Sequence, residues 1–198
     1  MTIHSQSDKK QAILSAMLKL ITENGFHATP MSLVATEAGV AAGTIYHYFA
    51  NKDQLISELY SHLKQKMGIA LLQDENLSLA YPYRFSLFWK NLFTFFIENP
   101  VEFKFLEQYS NSPFISTETR DDNQVFYKPV IDFLADGIAE GHLRPLPLEF
   151  LVESLFGHVV TAAKFHLAGT QEITGDLLDS VVKSSWDSVR TEEFSGYF

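Results

Sequence analysis

With 198 residues the chain is long enough to bury a core without metal or disulfide help, and its 46% hydrophobic and 20% charged residues exclude disorder. It has no cysteine, which excludes disulfides, thiolate chemistry and cysteine-ligated zinc and fits a reducing compartment. The net charge of −9 speaks against nucleic acid only until it is divided: residues 1–66 hold six lysines against five acids, net +1, while the remaining residues hold nine basic against nineteen acidic side chains, net −10.

The start, MTIHSQSDKKQAIL, lacks the basic stretch and apolar run of a secretory signal. The longest apolar-leaning segment, 150–167, is broken by Glu153, His158 and Lys164, so no membrane span is expected and a cytoplasmic protein is. No strand alternation or hairpin turn occurs, and every periodic segment reads as helix, which predicts an all-α fold.

The first helix is expected from about Ser7, a candidate N-cap, with Ile13, Leu14, Met17, Leu18 and Ile21 three and four apart, ending at Asn24-Gly25. A second, short helix follows, with Thr29 as cap, Pro30 at its first position, Leu33, Val34 and Ala38 as its apolar face, and Gly39 turning the chain. The third lies within VAAGTIYHYFANKDQL, Val40 to Leu55, ahead of Asn51, and packs aromatic residues into one short piece. Asn51 caps a fourth helix, with Gln54 three residues on as in a capping box and Leu55, Ile56, Leu59 and Leu63 on the buried side. A helix, a tight glycine turn and a second short helix are the spacing of a helix-turn-helix.

Further helices are expected at about 80–98, 100–110, 123–140, 147–168 and 174–193, about nine in all, separated by Asn99-Pro100, the polar loop SNSPFISTETRDDN, Gly141 with Pro145 and Pro147, and Gly169. The division is a helix-turn-helix module at 1–51 and a larger helical domain at 52–198.

Setting Ile45 at zero on a wheel of about 100° per residue puts Phe49, Ala42, Ala41 and Tyr48 within about 60° of it, on the inward side, and turns Tyr46, Gly43, His47 and Thr44 outward. A face of Gly, Thr, Tyr and His suits a duplex: glycine permits close approach, and hydroxyls and imidazole donate to phosphates or base edges. Lys52, opening the fourth helix, adds a charge to free backbone N–H groups and favours a phosphate. The alternative is that Tyr46, His47 and Tyr48 pad a three-helix contact.

The segment from Ile13 to Tyr60 resembles the DNA-binding domain of the TetR (tetracycline repressor) family of bacterial transcription regulators. The likeness rests on the first-helix pattern followed in order by G-F-x-A-T, A-x-x-A-G-V, G-T-I-Y-x-Y-F and K-x-x-L, over about a quarter of the chain. It implies a homodimer that binds a palindromic double-stranded operator through the short third helix and releases it when a small molecule enters the C-terminal domain. Operator contacts carried over by resemblance fall on Thr29, Ala41, Ala42, Gly43, Thr44, Tyr46, His47, Tyr48 and Lys52. Many relatives carry Ser followed by Lys or Arg where this chain has Ala41-Ala42, so base discrimination is expected to lean on Thr44, Tyr46 and His47, with a shallow salt dependence.

In the second part, YRFSLFWKNLFTFFIEN is apolar nearly all round and should sit centrally. An aromatic stripe at helical spacing reads first as core, but a pocket for an apolar or aromatic effector uses the same lining. The lining candidates are Phe88, Trp89, Phe93, Tyr109, Phe126, Tyr127, Phe156 and His166. The last two helices carry apolar residues on more than one face, with Gly157, Thr161, Ala162 and Ala163 between, and the resemblance implies a four-helix interface there between two subunits. No metal-ligand spacing, phosphate loop or catalytic pair stands out, so neither cofactor, metal nor enzyme activity is expected. The competing readings are a small-molecule enzyme on a helical bundle, or a binding protein whose N-terminal module contacts protein instead of DNA.

Overall fold

In the computed structural model, which describes residues 6–110 and 112–192, helix α1 (Gln6–Asn24) buries Ile13, Leu14, Met17 and Ile21 together with Ala16 and Leu20. Ser7 lies inside this helix instead of capping it. Gly25 ends it at φ 80°, a left-handed conformation that a Cβ disfavours, with its N–H returned to Ile21 O at 2.9 Å. The short helices α2 (Met31–Glu37) and α3 (Ala42–Tyr48) follow, and α4 (Lys52–Leu71) runs on with Leu55, Ile56, Leu59 and Leu63 all buried. Asn51 caps α4 as expected: its Oδ1 accepts from Gln54 N at 2.8 Å, and Gln54 Oε1 accepts from Ala50 N at 2.7 Å.

Beyond these come α5 (Tyr81–Glu98), α6 (Pro100–Tyr109), α7 (Thr117–Asp122), a 3₁₀ turn at Asn123–Tyr127, α8 (Lys128–Ala139), α9 (Leu148–Leu167) and α10 (Gly175–Val189). The nine expected helices are therefore present among the described residues. The additional α7 forms inside the polar loop, held by Ser116, whose Oγ accepts from Thr119 N at 3.0 Å. The segment expected as one helix from 123 opens with the 3₁₀ turn, because Pro129 follows Lys128 and tolerates only a helix start there. The β structure in the described part is an isolated antiparallel bridge, Leu143 to Arg190. No helix of the described residues is long and apolar enough to cross a membrane.

The chain forms two compact units, Met1–Gln65 with Val101–Asn123, and Lys66–Pro100 with Gln124–Phe198. The first unit thus exceeds the 1–51 module, for two local reasons. The α4 residues above are part of its core, and the 101–123 segment is tied to it by polar bonds: Lys104 Nζ donates to Thr22 O at 2.6 Å and Asn123 Nδ2 to Ser61 Oγ at 2.9 Å. In the second unit α5 packs on α9 and α10, burying Phe85, Phe88, Trp89, Leu92, Phe93, Phe95 and Phe96. Gly137 is required there. A Cβ on it would lie 1.9 Å from the hydroxyl of Tyr81, which stacks on Phe133 at 4.1 Å and donates to Phe133 O at 3.0 Å.

Candidate nucleic-acid interface

The α2–α3 pair is set by its turn. Gly39 adopts φ 65°, its N–H bonds Thr36 O at 3.1 Å and the next N–H, of Val40, bonds Ala35 O at 3.0 Å, which stops α2 and redirects the chain into α3. Met31, Val34 and Ala35 anchor α2, while Leu33, expected on its apolar face, is 38% exposed. The α3 helix is about two turns long, and one residue of it, Ile45, is buried, with Phe49 buried just past its end. Gly43, Tyr46 and His47 are exposed, and Thr44 and Tyr48 are half-buried. His47 meets Tyr48 edge-on at 5.4 Å.

Four of the expected contacts are placed differently. Ala41 and Ala42 were turned inward by the wheel and are both exposed. Ala41 is extended (φ −65°, ψ 146°) and stands outside the helix as its N-cap, where helical spacing has no meaning, and Ala42 opens a turn with nothing packed over it. Thr29 is fully buried, and its hydroxyl donates to Gly25 O at 2.9 Å and Leu20 O at 3.3 Å. It does not cap α2, whose N-cap is Pro30. Lys52 is half-buried: its ammonium lies 4.0 Å from the centroid of the Phe26 ring and donates to the Phe26 carbonyl. Burial draws this ammonium below the ordinary lysine range, opposed by Asp53.

Other lysines of this unit are also paired, Lys10 with Glu58 at 2.7 Å and Lys19 with Glu37 at 2.6 Å, both on the surface. The outward face of α3 is accordingly hydroxyl, imidazole and small side chains. Phe26 and Phe114 stack on each other beside the Lys52 ammonium, and sequence reasoning passed over both. Phe26 sat in the G-F-x-A-T pattern without a role, and Phe114 lay in a loop with no periodicity to flag it.

Of the eight lining candidates, the structure brings Trp89, Phe93 and His166 together: Trp89 stacks on Phe93 at 5.7 Å, and Phe93 meets His166 edge-on at 5.7 Å. His166 Nδ1 accepts from Ile173 N at 3.2 Å, so the proton of the neutral ring sits on Nε2. Trp89 is buried and its Nε1–H has no hydrogen-bond partner among the described residues. Phe88 belongs to another group, edge-on to Phe133 at 5.1 Å, where the Arg84 guanidinium covers the Phe133 ring at 4.6 Å and pairs with Glu75 at 2.7 Å. Phe156 meets Phe96 at 5.9 Å. Phe126 and Tyr127 lie on the 3₁₀ turn, whose Phe126 carbonyl comes so close to α4 that a Cβ on Gly68 would be 2.2 Å from it. Tyr109 belongs to the first unit, stacked on Phe105 at 5.1 Å.

Comparison with known proteins bears on the family and the fold. Residues 13–59 match the family of bacterial regulatory proteins called tetR, and residues 81–190 match a tetracycline repressor-like C-terminal domain. The chain belongs to the TetR family. It is 38% identical over 112 residues to an uncharacterized HTH-type transcriptional regulator of Haemophilus influenzae, a match covering 55% of this chain and 58% of that one. A TetR-family transcription regulator from Shewanella sp. PV-4 has the same fold with a TM-score of 0.87 and 26% identity, covering 92% of this chain and 98% of that one. The FadR regulator of Bacillus subtilis, solved in complex with stearoyl-CoA, shares the fold at a TM-score of 0.69 and 22% identity, covering 89% and 95%.

Proposed function

We propose that this TetR-family protein is a ligand-responsive DNA-binding regulator, most simply a repressor, that reads a palindromic operator as a homodimer and releases it on binding a small apolar molecule. The observation that carries this is the division of α3 into a buried anchor, Ile45 with Phe49, and an outward face of Gly43, Thr44, Tyr46 and His47, with Ala41 and Ala42 leaving the approach clear. Lys52 would supply a backbone phosphate contact, and base discrimination would rest on Thr44, Tyr46 and His47. Selection from a random duplex pool with purified protein tests it. An enriched palindrome is expected, and its absence favours an N-terminal module that contacts protein.

The dimer would form through α9 and α10. Phe150, Phe165 and Leu177 are exposed on them, and Gly157 and Thr161 fall between the two aromatics on one helical stripe of α9 with open space beside Gly157. Two-fold symmetry would then set the recognition helices about one turn of DNA apart. The effector would meet the aromatic side chains of the second unit, with the unpartnered Trp89 Nε1–H as a polar handle. Long-chain acyl compounds are the first probes, since FadR of this fold was solved with stearoyl-CoA. Ligand acts only through its differential affinity for the DNA-competent and DNA-incompetent conformers. The protein would work in the cytoplasm, without turnover of its ligand.

A further inference from the structure

The cation that should hold phosphate is held by an aromatic pair instead. Lys52 Nζ lies over one face of Phe26, and the Phe26 ring stacks on Phe114 with centroids 3.8 Å apart and planes 12° from parallel. Phe114 is itself fixed. His27 meets it edge-on at 5.9 Å and Tyr109 lies tilted against it at 6.1 Å. Its neighbour Ile115 is buried, and Arg120 clamps the loop by donating to Ser110 O at 2.6 Å and Ser112 O at 2.7 Å. All of these groups lie in the first compact unit.

We propose that Phe26 and Phe114 form a resting place for the Lys52 ammonium that competes with the operator's backbone phosphate, so that the two rings set the affinity of the protein for DNA and its response to salt. The inference rests on Lys52 being a phosphate contact when DNA is bound. An ammonium that donates to the Phe26 carbonyl and lies against the Phe26 face has to give up part of that contact to swing outward to a phosphate. The stack of Phe114 keeps the Phe26 ring in the orientation that receives the cation, so the loop at 112–116, although remote in sequence from the recognition helix, controls the lysine that follows that helix in the chain. A half-buried cation–π contact of this kind would weaken operator binding about two- to fivefold for each Lys52 it holds.

The test uses the full-length protein and a duplex enriched by it from a random pool, with affinity read by fluorescence anisotropy across a salt series. F114A and F26L are expected to bind about two- to fivefold tighter per subunit, with a salt slope steeper by about 0.9 for each phosphate newly neutralised. Adding K52M to F114A should abolish both gains, and K52M alone should weaken native binding and flatten its slope, but by less than it does in F114A. Native affinity and slope in folded F114A and F26L overturn the proposal, as do gains that survive K52M. If K52M alone flattens the native slope as much as it does in F114A, Lys52 already contacts phosphate and the resting place is refuted while the phosphate reading stands. If K52M changes nothing in either background, the phosphate reading itself fails. A measurement independent of the aromatic variants is the proton shift of the Lys52 side chain, expected upfield in the free protein and relieved on adding the duplex. An upfield shift persisting in the complex overturns the proposal.

Discussion

Replacing Ile45 and replacing Tyr46, adjacent residues on α3, should damage the protein in opposite ways. Ile45 has no solvent exposure, so I45A removes buried methyl and methylene groups from a seat that cannot collapse freely, at a cost of about 2–5 kcal/mol. With a urea m-value of about 2 kcal/mol per molar, a loss of about 3 kcal/mol lowers the unfolding midpoint of the first unit by about 1.5 M. Tyr46 is 56% exposed, so Y46A should stay within about 0.5 kcal/mol of native stability. It should instead cost operator binding about 1–2 kcal/mol per subunit, roughly five- to thirtyfold, and Y46F should separate the hydroxyl from the ring. Urea titration followed by circular dichroism gives the first quantity, and anisotropy with a selected duplex, measured well below the denaturation midpoint, gives the second. Y46A destabilised as much as I45A, or Y46A and H47A both binding operator at native strength, would refute the division of α3 into an anchor and a reading face.

Three further outcomes follow from the second unit. G137A should destabilise the protein by about 1–3 kcal/mol because the new Cβ meets the Tyr81 phenol at 1.9 Å, and Y81F should restore only part of this since the ring carbon Cζ is also within 2.4 Å; native thermal stability of G137A would contradict the packing. Asp187 accepts from Arg190 Nε at 2.6 Å and Lys183 Nζ at 3.1 Å, and chiefly the Arg190 bond holds its carboxyl below the usual range. A depressed folded pKa stabilises above the unfolded value of about 3.9 and is lost as pH falls through the folded one, so D187N should cost under about 1 kcal/mol at neutral pH, discounted for exposure, and converge with native in acid; a difference independent of pH would sink this. F165E, on the exposed side of α9, should shift the sedimentation of a dimer to that of a monomer while leaving helix content unchanged, and an unaltered dimer would place the subunit contact elsewhere.

Much of the helical frame was legible in the chain because apolar residues at three- and four-residue spacing leave helix as the consistent reading, and because the punctuation is chemical: Gly25 and Gly39 at positive φ, and the cap at Asn51 with Gln54. Helix α7 was not legible, since a six-residue polar helix has no apolar period and depends on the Ser116 cap. The candidate interface was half legible. Ile45 and Phe49 read inward, and Gly43, Tyr46 and His47 outward, as the wheel requires, but Ala41 escaped it by not being helical. Thr29 was expected to cap α2 and Leu33 to lie on its buried face; both differ, because what packs against a short helix is not reported locally.

The amino-acid sequence by itself determined the order of helices, the tight turn before α3, and the residue types available to a duplex, since these follow from backbone propensity and periods of a few residues. Only the tertiary structure decided which way Lys52 points, that Phe114 stands behind Phe26 across a separation of 88 residues, and that Tyr109 belongs with the first unit, apart from the aromatics of α5. The physical reason is the range of the interaction. Capping and helical facing are settled within one or two turns of chain, whereas a cation over a ring and a ring on a ring need groups that meet only once distant helices have packed.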